Sequence, residues 1–199
     1  MRTHTSRTAF PIRGAKQGYP IGIWGIWLTM AVLLAALAGL VVSVVYLYWG
    51  QESWPPPGFE TPPLTRGLIA LLLALIACPL TFLAVRQLRQ EREQTAGHTL
   101  FWAMVVGAGS LTALITDLAN APWRWDEHVY TSLFWLMVGN AALFVGVSTL
   151  MVAAVLVQRI AGMIDAGRHL EVEVTAVFWF FTLLTVLSAV GTVHLLPYR

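Results

Sequence analysis

Four histidines and one short acidic motif border the apolar runs of this 199-residue chain, and they hold most of the chemistry it could perform. His98, His128, His169 and His194 invite a bis-histidine haem as their first use. A haem held between helices needs histidines a turn or more inside facing helices. These four fall at the ends of apolar runs, where a solvated or headgroup-bonded imidazole is the ordinary explanation. They are not clustered, and Cys78 is the single cysteine, so neither a zinc or copper ligand set nor a disulfide framework is present. The densest polar cluster is His169-x-Glu171-x-Glu173, just before a final apolar run. Carboxylates in that position favour the positive end of a helix dipole, and capping is the reading the spacing favours. The other use is contact with a lipid headgroup or with a basic residue of a neighbouring subunit.

Every Asp, Glu, Lys, Arg and His reads as lying in a loop, a tail or at a helix end. Transporters and proton relays keep ionisable groups at depth despite their cost. An ion-coupled carrier or small permease confined to this chain is therefore disfavoured. Asp117 and Glu173 read as helix-end acids where water competes, so no acid reactive toward a hydrophobic carbodiimide is expected inside the bilayer.

The elements that must position these groups are membrane helices. The chain is 57% hydrophobic and 11% charged, with mean hydropathy +0.69, whereas soluble domains carry roughly 25% charged residues. The net charge of +2 is too small to suggest nucleic acid. The spacing predicts an all-α integral membrane protein, a bundle of five transmembrane helices at about 21–49, 67–86, 99–117, 129–157 and 173–195. Residues 1–20 form a basic arm before a first run far longer than a signal-peptide core of about 7–15 residues, so a retained span is expected. Ala31, Ala35 and Gly39 on the first span, and Ala103, Gly107, Gly109 and Ala113 on the third, offer small-residue faces for close helix packing. Pro79 predicts a kink in the second. The proline-rich stretch Gln51–Thr65 reads as a stiff, extended connector.

Nine of the twelve Lys and Arg residues fall in the N-terminal arm, around Arg86–Glu93 and in the Gln158–Arg168 elbow. Arg66, Arg124 and Arg199 fall on the other side. The positive-inside rule then predicts a cytoplasmic N-terminus and an outside C-terminus in a bacterial cytoplasmic (inner) membrane.

The order and spacing of several motifs resemble subunit III of the haem-copper terminal oxidases, the cytochrome c oxidase subunit III family, in its five-helix bacterial form. They are Trp24-Gly25, Trp54-Pro55-Pro56-x-Gly58, Gly107 with Asp117, Ala121-Pro122, Val129-Tyr130, Ser132, Phe134 and Gly139, then His169-x-x-x-Glu173 with Trp179. The resemblance extends over most of Ile21–Arg199. It departs at polar positions: Leu33 stands where the family has a membrane-embedded Glu, and Ala141 and Phe144 stand at its His-x-x-His positions. Phe180 and Leu183 replace a further His and Asp. The resemblance implies an accessory subunit of a respiratory oxidase that reduces oxygen and pumps protons, packed against subunit I. It would carry no catalytic centre and no cofactor, with haem and copper in partner subunits. It also marks His169, Glu173 and Trp179 for lipid or subunit contact. An accessory protein of a related membrane reductase, such as nitric oxide reductase, is the second expectation.

Overall fold

The computed structural model describes residues 21–162 and 170–196, and all regular structure among them is helical. The helices are α1 (Ile21–Trp49), α2 (Leu64–Arg89), α3 (Glu93–Ala119), α4 (Val129–Ile160) and α5 (Leu170–Ala189). The chain of α5 continues as a π-helical turn over Val190–Leu195. Each of the five is long and apolar enough to cross a membrane. Even Leu170–Leu195, 26 residues, extends about 39 Å at 1.5 Å per residue against a hydrocarbon core of about 30 Å. The N-terminal arm and the elbow residues 163–169, His169 among them, lie outside the described residues.

Connections alternate between two ends of the bundle. One, the basic end, carries Arg86, Arg89, Arg92 and Arg159 with the α2–α3 turn. The other, the aromatic end, carries the loops 50–63 and 120–128 and the π turn. The helices run past the sequence-based boundaries to include flanking polar residues, such as Arg89 in the last turn of α2 and Glu93 in the first turn of α3.

Packing follows side-chain size. The buried stripe of α2 runs through Gly67, Ala70, Ala74, Ala77 and Ala84, and that of α3 through Ala96, Ala103, Gly107 and Ser110. Without a hydrophobic driving force between helices in lipid, such small residues let backbones approach and gain dispersion and polar contacts. The Ser110 hydroxyl donates to the Ala70 carbonyl at 2.9 Å, across the α2–α3 interface. Ser148 and Thr182 share a hydrogen bond of 2.6 Å between α4 and α5. Pro79 lies within α2, which runs on through it, and the Thr81 hydroxyl donates to the Cys78 carbonyl at 2.7 Å.

The first span differs from its expected packing. α1 rests on the bundle chiefly through α5, using Met30, Leu37 and Val44. Ala31, Ala35 and Gly39 face away from the chain's own helices, because the larger residues fill the shallow contact with α5 better. On α3 the expected face holds, with Ala103 and Gly107 buried and Gly109 and Ala113 half-buried.

Candidate functional site

At the aromatic end the proline-rich loop is more than a connector. It bends back over the helix ends and places Trp54 edge-on to Tyr48 and Tyr130, with ring centroids 5.9 and 5.1 Å away. Phe59 follows, 6.5 Å from Trp123 and 5.2 Å from the His128 ring. Gly58, at φ 94, makes the turn between them, a conformation that costs little without a Cβ. Trp123 continues the stack to Phe134 at 5.8 Å, and Phe134 meets the His194 ring at 6.4 Å. These rings form a cover over the helix ends.

Beneath that cover lies a buried pair of a carboxyl group and an imidazole. His194 Nε2 approaches Asp117 Oδ2 at 3.0 Å, and each side chain is 1% exposed. Asp117 ends the buried stripe of α3, and the π turn brings Thr192, Val193 and His194 together into the interior. Space for the imidazole comes from Gly67 on α2: a Cβ there would lie 2.6 Å from His194 Cδ2. The approach does not meet hydrogen-bond geometry, so both Asp117 carboxylate oxygens and His194 Nδ1 lack a hydrogen-bond partner among the described residues. Beside the pair is a cavity of about 210 Å³, walled by Asp117, Glu60, Arg66, Asn120, Pro122 and Phe134.

This corrects the expectation that Asp117 and His194 are solvated helix-end groups. They end their helices in sequence, but the two loops fold over them and leave each side chain 1% exposed. The expected absence of a buried acid is corrected with it. The other described histidines keep ordinary roles. His98 is exposed, and His128 is the N-cap of α4, its Nδ1 accepting from the Tyr130 amide at 3.0 Å while the Thr131 hydroxyl accepts from its own amide. No group of three or more His, Cys, Asp or Glu that could hold a metal occurs among the described residues.

At the basic end, Glu173 in the first turn of α5 accepts from Arg89 Nε and Nη2 at 3.2 and 2.8 Å. The pair borders an apolar groove of about 460 Å³ between α2 and α5, walled by Phe82, Val85, Arg86, Ala176 and Val177. The helix-dipole use of Glu173 and an ion pair therefore coexist, and the basic residue belongs to this chain. Trp179 is corrected: it is fully buried, its ring edge against Gly107, where a Cβ would come 2.8 Å from Trp179 Cζ2. A residue so enclosed touches neither lipid nor a second chain. His169 stands outside the described residues, while the structure brings Glu173 together with Arg89.

The family model for cytochrome c oxidase subunit III matches residues 12–190, the greater part of the chain. The chain belongs to the cytochrome c oxidase subunit III family. No curated protein matches it. Membership makes it a multi-pass membrane subunit of haem-copper oxidase type, from a family of accessory subunits without redox centres of their own. The departures noted from the sequence now acquire a place. Leu33 and Phe144 both pack on one cluster, with Met30, Leu37, Phe178 and Phe181 at its centre. Phe144 meets Phe181 edge-on at 4.9 Å. Leu33 and Phe144 thus take part in one apolar contact between α1, α4 and α5.

Proposed function

We propose that the chain is the non-redox accessory subunit III of a respiratory haem-copper terminal oxidase in a bacterial cytoplasmic membrane, packed against subunit I. The observation that carries this reading is the family match over residues 12–190 on a five-span bundle. Two features support the packing role. The face of α1 bearing Ala31, Ala35 and Gly39 is open, and small residues of that kind admit a neighbouring helix closely. The buried cores are dominated by apolar and hydroxyl-bearing side chains that join helices. The Lys and Arg bias supports a cytoplasmic basic end and an outer aromatic end. Haem and copper then reside in the partner subunits. Gentle isolation of the tagged chain from its native membrane should bring down a haem-containing, oxygen-reducing complex. A preparation that carries no haem, or that reduces nitric oxide and not oxygen, would overturn the assignment.

Glu173, with Arg89 and the groove beside them, is the proposed contact with a phospholipid headgroup or another subunit, and His169 joins this proposal by its place in the sequence. Arg86 and Arg89 set cations at the mouth of an apolar groove, which suits an anionic headgroup and an acyl chain. The Arg89 side chain is largely exposed, so its pair with Glu173 is worth no more than about 1 kcal/mol. Glu173→Ala should therefore leave the fold intact and reduce retention of the subunit in the complex during detergent washing. Unchanged retention would overturn the proposed contact of Glu173 with lipid or another subunit.

A further inference from the structure

The Asp117–His194 pair has no part in the packing role, yet it is the most deeply buried arrangement of ionisable groups among the described residues. Each side chain is 1% exposed, and three of their polar atoms lack a hydrogen-bond partner there. Buried polar atoms in folded proteins are almost always satisfied, by protein or by ordered water. The adjoining cavity of about 210 Å³ has room for several waters at about 30 Å³ each. Its wall is polar where water needs partners, with Glu60, Thr61, Arg66 and Asn120 around Asp117. Pro62, Trp123 and Phe134 close the apolar side.

We propose that this cavity is a hydrated proton-exchange site, in which ordered water is the ligand, Asp117 on its wall is the proton acceptor and His194, 3.0 Å from that carboxylate, is its partner. In the exchange a hydronium in the cavity loses one proton and remains as water. The Asp117 carboxylate, which lines the cavity, gains that proton and forms one new O–H bond, with the His194 imidazole 3.0 Å from it. The charged and polar groups around the cavity and the pair come from several elements. Glu60 comes from the loop after α1, Arg66 from α2, Asp117 from α3 and His194 from the π turn. α4 presents the Phe134 ring, with the phenol of Tyr130 and the ring of His128 further along the same aromatic stack. Arg124 and Asp126 pair with each other at the surface. A metal ion is the less fitting occupant, since no third ligand of His, Cys, Asp or Glu type joins the pair and Arg66 lines the same space. The site stands on this geometry and does not depend on the oxidase assignment.

Infrared difference spectra of the full chain in lipid nanodiscs, stepped between alkaline and acidic buffer, test the site. The expected result is a carboxylic C=O band that appears on acidification, shifts when H2O is replaced by D2O within minutes, and is lost in Asp117→Asn. His194→Gln keeps Asp117 and should move that band, which serves as the test if Asp117→Asn does not fold, with helicity checked by circular dichroism. A wild-type spectrum that Asp117→Asn leaves unchanged would overturn the proposal. So would an Asp117 band indifferent to D2O, or one that His194→Gln leaves in place. A band that appears only after chelation would reassign the cavity to a metal ion and overturn it as well.

Discussion

Replacing His194 with leucine is expected to destabilise the chain by about 1–3 kcal/mol, the usual cost of leaving a buried polar group without its partner. The imidazole is the partner of Asp117 at 3.0 Å, and its loss strands a carboxylate that is 1% exposed. Water in the adjoining cavity can solvate part of that charge, which places the expected cost toward the lower end. Unfolding in detergent with an added denaturant, followed by circular dichroism, measures it. The double variant Asp117→Asn, His194→Leu should recover much of the loss, because the charge that lacked a partner is gone. Single and double losses that simply add would mean that the two groups are not coupled. Gly67→Ala acts on the same pair from the opposite side, since its Cβ would occupy the space of the imidazole, 2.6 Å from Cδ2. It should shift the same unfolding transition in the same direction.

Trp179→Ala is expected to cost about 3–5 kcal/mol through the cavity left by a fully buried indole. The ring fills the space between α5, the Gly107 backbone of α3 and Thr149 of α4. In lipid this loss is one of dispersion contacts, because lipid tails offer no hydrophobic gain to offset it. Gly107→Ala approaches the same contact from the other side and should cost about 1–3 kcal/mol by overpacking, since a Cβ there lies 2.8 Å from both Thr149 Oγ1 and Trp179 Cζ2. The two sites touch, so their effects should not add: Gly107→Ala in a Trp179→Leu background should be cheaper than in the unaltered chain. Equal costs in the two backgrounds would place the indole elsewhere. A Trp179→Ala chain as stable as the parent would contradict the packing itself.

Hydropathy and bilayer thickness were enough to read five spans and their order from the sequence alone, while the order and spacing of motifs carried the family resemblance. Both are local properties: a run either is or is not long and apolar enough to cross about 30 Å of hydrocarbon. The third span's small-residue face was also legible, because Ala103 and Gly107 repeat at helical spacing. What hydropathy does not encode is which apolar face meets lipid and which meets protein. Ala31, Ala35 and Gly39 look like packing positions, yet α1 turns Met30, Leu37 and Val44 inward. Trp179 looks like a surface anchor until α3 and α4 enclose it. The Asp117–His194 pair was hidden for a further reason. Each group ends an apolar run, where water is normally at hand, and their distance in the chain conceals that α3 and the π turn finish side by side. Only the tertiary fold decided their burial, because it lays the 50–63 and 120–128 loops, with Trp54, Phe59 and Trp123, over the helix ends and leaves both side chains 1% exposed.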